Sequence, residues 1–142
     1  MPVSRSAGII LFRNTTEGRK YLILRAKRDD DRPEFWDISK GELNSGESGI
    51  EAARREVKEE TGIEDYKLIG DFKFTAQYFT KREGKTIPKF VAVFLAEAPN
   101  EAVKLSWEHD SFEWATLEEA SKKLTTMKKA LHAADEFLSK SS

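Results

Sequence analysis

An α/β fold, with a mixed β-sheet held between helices, is predicted by three features of this 142-residue sequence. Short apolar runs at residues 7–12, 21–26 and 90–96 have the length and composition of buried strands. A helix with start and stop signals at both ends occupies the middle of the chain, between Ser48 and Gly62. A second stretch of apolar residues at helical spacing closes it. Strands interleaved with helices in this way pack as a sheet covered on its faces.

Taken in order, the first apolar run (AGIILF) ends at the turn-like Asn14-Thr15-Thr16-Glu17-Gly18, and the second (YLILRA) follows at once, so the two predict a hairpin. Residues 27–34 (KRDDDRPE) form a charged loop, and Phe35-Trp36-Asp37-Ile38 leads into Gly41. Ser48 with Glu51 three residues on is a capping-box pattern, and Gly62 stands where a helix ends in a left-handed residue. Between them Ile50, Ala53 and Val57 recur on one face. Phe72, Phe74, Ala76 and Tyr78 alternate with Lys73, Thr75 and Gln77, the period of a half-buried strand. The glycine-containing loop Lys81-Arg82-Glu83-Gly84-Lys85 joins it to FVAVFLA, residues 90–96, whose unbroken apolar character suits the centre of a sheet. Glu113-Trp114-Ala115 is a short strand, and Thr116 caps a last helix carrying Ala120, Leu124, Met127, Leu131, Ala134 and Leu138 on one face. With no internal repeat and no low-complexity segment beyond the Ser-Lys-Ser-Ser tail, residues 1–142 read as a single domain.

Composition narrows the function. A formal net charge of −1 gives no bulk attraction to nucleic acid or to an acidic membrane, so neither is an expected partner. The absence of cysteine excludes disulfides and thiolate metal sites and fits a reducing compartment. The apolar run at residues 7–12 is too short to span a bilayer and lacks the features of a signal peptide, so a cytoplasmic protein is expected. His109 and His132 are far apart in sequence and suggest no histidine-based metal site.

The chemistry concentrates on the central helix. Glu56, Glu59 and Glu60 fall together on one helical face, because residues three and four apart are neighbours. Three unpaired carboxylates there repel one another. A hard divalent cation with oxygen ligands would relieve the repulsion, and Arg55 offers a bidentate counter-charge. A solvated acidic face is the plainer reading of the three glutamates alone. The longer pattern decides against it. Gly41, five residues, Glu47, seven residues, then Arg55-Glu56-Val57-Lys58-Glu59-Glu60-Thr61-Gly62-Ile63 resembles the signature of the Nudix hydrolases at every fixed position. The resemblance implies an α/β/α sandwich over essentially the whole chain and a loop–helix–loop that holds divalent metal against a pyrophosphate. It makes Glu56 and Glu60 the principal metal ligands with Glu59 assisting, Arg55 the residue that orients the carboxylates, and Glu47 an anchor of the loop or a ligand through water. Gly41 and Gly62 are the structural glycines of the motif. Mg²⁺ is the implied cofactor, with Mn²⁺ as an alternative.

Further residues resemble those of the asymmetric diadenosine tetraphosphate hydrolases within that family. Glu108, in Ser106-Trp107-Glu108-His109-Asp110, stands like the additional catalytic or metal-binding glutamate of that group. The pair Lys40-Gly41, Trp36 just upstream, and Tyr78 followed by the basic hairpin of Lys81, Lys85 and Lys89 are similar features. Asp37-Ile38-Ser39 departs from the pattern, since the group has proline near the lysine. Arg25, Lys27, Arg28 and Arg82 add to the positive charge. Several cations suit a polyphosphate, and Tyr78, Phe74 or Trp36 could stack a nucleobase.

The resemblance therefore implies a metal-dependent hydrolase acting on a small-molecule nucleotide, preferably cutting diadenosine tetraphosphate to ATP and AMP. The alternatives are a nucleoside triphosphate or nucleotide-sugar pyrophosphatase, and a nucleotide-sensing module without catalysis. Glu56, Glu59 and Glu108 all stand as candidates for the carboxylate that takes the proton from water. A monomer is expected.

Overall fold

The computed structural model of the protein describes residues 2–141. The element order is β1 (Ser4–Thr15), β2 (Gly18–Ala26), β3 (Trp36–Asp37), β4 (Ser39–Glu42), α1 (Gly49–Thr61), β5 (Lys67–Leu68), β6 (Phe74–Arg82), β7 (Lys85–Glu97), β8 (His109–Ala115), α2 (Leu117–Lys123) and α3 (Lys128–Ser141). The described strands form one mixed sheet. β1 is its axis: it pairs in parallel with β7 from Ser4↔Lys89 to Phe12↔Glu97, and antiparallel with β4 in its first half and β2 in its second. β8 continues the sheet beyond β2, and β6 continues it beyond β7.

The alternation along β1 explains the layers. Ala7, Ile9 and Leu11 point to one side and pack with Ala52, Ala53 and Val57 of α1. Ile10 and Phe12 point to the other and pack with Val91, Val93 and Leu95 of β7 and with Leu131, Ala134 and Leu138 of α3. Side chains two apart share a face of a strand, so a continuous apolar run supplies both cores and the α/β/α sandwich follows. Among the described residues no helix is long and apolar enough to cross a membrane.

The helix ends fall where local chemistry predicts. Ser48 accepts from the Glu51 amide while the Glu51 carboxylate accepts from the Ser48 amide, and Gly62 closes α1 at φ 73°. Thr116 and Glu119 form the same reciprocal pair at the start of α2.

The structure corrects the last helix. It is two helices, broken at residues 124–127, where Leu124 takes an extended conformation and forms an isolated bridge with Trp36. The apolar positions Ala120, Leu124, Met127, Leu131, Ala134 and Leu138 are all buried nonetheless. The β-branched pair Thr125-Thr126 has weak helix preference, and bridging to Trp36 outweighs the continued periodicity. The alternating strand begins at Phe74, with Phe72 buried in the preceding turn. The approach to Gly41 is itself two short strands, β3 and β4, and the two-residue β5 is an addition.

Candidate active site

α1 lies across β1 and β4 with its polar face turned toward the strand that carries Ser39 and Gly41. Those two residues are separated by one position, so both face the helix. Ser39 donates its hydroxyl to Glu60 Oε1 at 2.7 Å. Gly41 leaves room for Glu56: a Cβ at that position would overlap the Glu56 carboxylate. The signature glycine is thus explained by a close approach of side chain to backbone.

Arg55 organises the opposite side of the cluster. Its Nε and Nη2 donate to the two oxygens of Glu47 at 2.8 and 3.0 Å, its Nη1 donates to Glu56 Oε1 at 2.9 Å, and its Nη2 donates to the Glu42 carbonyl at 2.9 Å. Glu59 Oε2 lies 3.5 Å from Nη1. Only a planar guanidinium with five donors satisfies so many acceptors at once. Glu47 also accepts from the Asn44 amide, which ties the loop before α1 to this hub. The Arg55 bond holds Glu47 below the usual carboxylate range, and Glu47 in turn raises Arg55.

Glu60 is in a different situation. It is 4% exposed. Burial, opposed by the Ser39 bond and reinforced by the charges of Glu56, Glu108 and Asp37, pushes its carboxyl up to about 8. Glu56 is raised as well, first by burial and then, against the pull of Arg55, by Glu59 and Glu108. Glu108 sits in the loop before β8, anchored by a bond from the Lys27 amide to its carbonyl at 2.9 Å, and its charge reaches both Glu56 and Glu60. The donor set is therefore all-oxygen and short of positive charge, which fits a hard divalent cation. Among the described residues no group of three His, Asp or Glu side chains converges tightly enough to hold one in this arrangement. Arg55 draws Glu56 one way and Ser39 draws Glu60 another.

On the other side of β4, Lys40 is largely buried and ion-paired with Asp37 at 2.9 Å. Burial works against its charge, but Asp37 and Tyr78 outweigh it and leave Lys40 raised. Tyr78 is half-buried against the α3-side core, with Lys89 Nζ 5.7 Å from its ring centroid. Burial and the neighbouring Lys40 lower Lys89. Lys40, Tyr78 and Lys89 are thus brought together. Lys81 and Lys85 are not: both are exposed at the tip of the β6–β7 hairpin, where Glu83 and Gly84 turn with positive φ. Arg82 beside them pairs with Glu42. Trp36 is 7% exposed, with Lys123 over its ring and its Nε1 donated to Glu34.

Three residues of the site escape a reading by sequence. Asp37 and Ser39 share the alternation of Gly41, a period-two signal that could have found them. His109 had no local signal. It is half-buried, its Nδ1 is 4.0 Å from Glu60 Oε2, and that nitrogen has no hydrogen-bond partner among the described residues.

A family model for the NUDIX domain matches residues 2–136. The chain belongs to the Nudix family. Asymmetrical bis(5'-nucleosyl)-tetraphosphatase of Mus musculus is 34% identical over 94% of this chain and 95% of the relative. The protein of the same name from Caenorhabditis elegans is 34% identical over 84% of each. Among solved structures, a binary complex of a C. elegans Ap4A hydrolase superposes with a TM-score of 0.82 at 32% identity, covering 96% of this chain and 98% of that one. The fold of a Nudix hydrolase and the signature helix at its centre are thus established for this chain, and divalent metal ions are the general requirement of such enzymes.

The half-buried Tyr78 carries a prediction. Tyr78→Ala is expected to raise KM about tenfold or more while lowering kcat much less, because a lost stacking partner costs about 1–3 kcal/mol of mostly ground-state binding. Steady-state kinetics beside thermal melts decide it. Unfolding with unchanged kinetics in the surviving fraction would make Tyr78 a core residue only.

Proposed function

We propose that this protein hydrolyses dinucleoside polyphosphates, preferably diadenosine tetraphosphate to ATP and AMP. The observation that carries the reading is the juxtaposition of the carboxylates of α1, with Glu60 buried among them, and the Lys40–Tyr78–Lys89 cluster on the neighbouring strands. Its support from relatives is the similarity, over nearly the full length of both chains, to asymmetrical bis(5'-nucleosyl)-tetraphosphatases.

Glu56 and Glu60, with Glu59 and Glu108, would hold Mg²⁺ or Mn²⁺, which when bound supplies charge neutralisation for the phosphates and activation of water. The residues of the chain divide the remaining work. Arg55 fixes Glu56 and the Glu47 loop. Ser39 orients Glu60. Lys40 and Lys89 meet phosphate charge, and Lys81 and Lys85 extend the cationic path along the hairpin. Tyr78 receives one base. A carboxylate, from Glu56, Glu59 or Glu108, takes the proton as water attacks phosphorus. The enzyme works as a monomer in the cytoplasm on this reading, consistent with a chain lacking cysteine.

An asymmetric cut needs one base held at a fixed distance from the reacting phosphorus. Remote binding energy then positions the outer phosphate, so AMP and ATP are the expected products, with kcat/KM above that for ATP or a deoxynucleoside triphosphate. In ¹⁸O-labelled water the label is expected in AMP, by attack on the phosphorus nearest one adenosine. Two ADP molecules as main product, or a preference for triphosphates or nucleotide sugars, would overturn the substrate assignment.

A further inference from the structure

The chain has three tryptophans, and two are used in packing. Trp36 is in the core. Trp114 donates its Nε1 to the Glu101 carbonyl at 2.9 Å beneath the Arg13 guanidinium. Trp107 is 82% exposed. A single exposed apolar side chain is ordinary on a protein surface, but the place of this one is not convex. Trp107 lines a cleft of about 310 Å³ with Lys27, Asp29 and Glu108, within the size range of small-molecule subsites.

The loop that presents it is fixed. The His109 amide donates to the Ser106 carbonyl at 3.3 Å, and the Lys27 amide donates to the Glu108 carbonyl at 2.9 Å. Trp107 therefore rides on a hydrogen-bonded turn, so the backbone that presents the indole is already ordered when a ring settles on it. The order of groups across the site is also informative. Tyr78 lies with Lys89 and Lys40, Lys40 pairs with Asp37, His109 stands 4.0 Å from Glu60, and His109 follows Glu108 and Trp107 in the chain. Tyr78 thus adjoins the lysines of the site, and Trp107 shares a cleft with Glu108, whose charge reaches Glu56 and Glu60. A dinucleoside polyphosphate offers two bases, one for each ring, with its phosphates between them.

We propose that Trp107 is the platform for the second nucleobase of the substrate, with the Lys27 side chain in the same cleft meeting the phosphate next to it. This rests on the assignment of dinucleoside polyphosphates as substrates, and makes Trp107 a specificity-determining residue: it distinguishes a ligand with two bases from one with a single base and the same phosphates.

The test compares binding, by calorimetry, of two non-hydrolysable ligands, methylene-bridged diadenosine tetraphosphate and methylene-bridged adenosine tetraphosphate, to the wild type, Trp107→Ala and Trp107→Phe. The wild type is expected to bind the two-base ligand about tenfold more tightly, the scale of one stacked base. Trp107→Ala should lose that preference with its affinity for the one-base ligand unchanged, and Trp107→Phe should keep most of it. Both variants replace an exposed side chain, and an unchanged melting curve verifies their fold. A wild type without preference, a preference that survives in Trp107→Ala, or an equal loss for both ligands overturns the proposal. A wild type that shows the binding preference but does not hydrolyse diadenosine tetraphosphate would instead sink the assigned reaction and leave the second-base site standing.

Discussion

Glu60→Gln is expected to leave the fold intact, remove activity by about 100-fold or more, and raise the melting temperature measured in chelator. The activity loss follows from position: Glu60 is the buried member of the acidic face, and outer partners of metal ligands alone are worth 10–100-fold in affinity or rate, so a ligand is expected to exceed that. The stability gain follows from the same burial. Its carboxyl titrates near 8 in the fold against 4.5 ordinarily, because burial and the charges of Glu56, Glu108 and Asp37 outweigh the Ser39 bond. The folded state thus holds the proton more tightly than the unfolded chain. The associated stability is fully present below about 4.5 and is lost as pH rises through about 8. Chelated wild type should therefore melt at progressively lower temperature across that window, by an amount equivalent to a few kcal/mol. Glutamine carries no charge and can still bond Ser39, so the variant should show a flatter profile. Saturating Mg²⁺ should stabilise the wild type through binding linkage and the variant far less. Near-normal turnover of the variant in saturating Mg²⁺ would remove Glu60 from the ligand set, and parallel pH–melting curves for the two proteins would show that its carboxyl is not raised in the fold.

Much of the architecture is written in local pattern. The hairpin of β1 and β2, the central position of β7 and both ends of α1 depend on residues close in sequence, and periodicity with capping chemistry reveals them, whereas the expected loop over residues 81–85 is a tighter two-residue turn at Glu83-Gly84 with paired strands on either side. The break between α2 and α3 does not show, because all six apolar positions stay buried whether the helix continues or not, and the deciding contact is the distant bridge from Leu124 to Trp36. The site divides in the same way. The spacing from Gly41 to Glu60 reveals the helix face and the Arg55 hub. His109 joins that face only through sheet pairing, opposite Ala26, and no local period encodes which strands become neighbours, whereas Ser39 stands two residues from Gly41 and shares its face by alternation. Burial also sorts the lysines in a way their charge does not show: Lys40 is largely buried and ion-paired with Asp37, whereas Lys81 and Lys85 are exposed at the hairpin tip.

Arg55 should give the opposite stability sign from Glu60 with a similar loss of activity. Its guanidinium holds both oxygens of Glu47, one of Glu56 and the Glu42 carbonyl, and the side chains of Glu47 and Glu56 are 18% and 12% exposed. Arg55→Ala leaves those carboxylates facing Glu59 without their cation. Removing one partner from a buried ion pair costs about 3–5 kcal/mol, and partial solvent access lowers this to about 2–3 kcal/mol. For a chain of this size that corresponds to a fall of roughly 5–10 °C in Tm. Arg55→Lys restores the charge but not the fork, since one ammonium cannot reach Glu47, Glu56 and Glu42 together. It should recover most of the stability while kcat/KM stays about 10–100-fold down, because Glu56 and the Glu47 loop are no longer held in one geometry. Calorimetric melts and steady-state kinetics on both variants, at matched Mg²⁺, separate the contributions. Arg55→Lys with wild-type kcat/KM would show that charge alone suffices and that the bidentate geometry has no part in positioning. Arg55→Ala melting at or above the wild type would show that the carboxylates around it are fully solvated, which would also remove the physical basis for the raised Glu56.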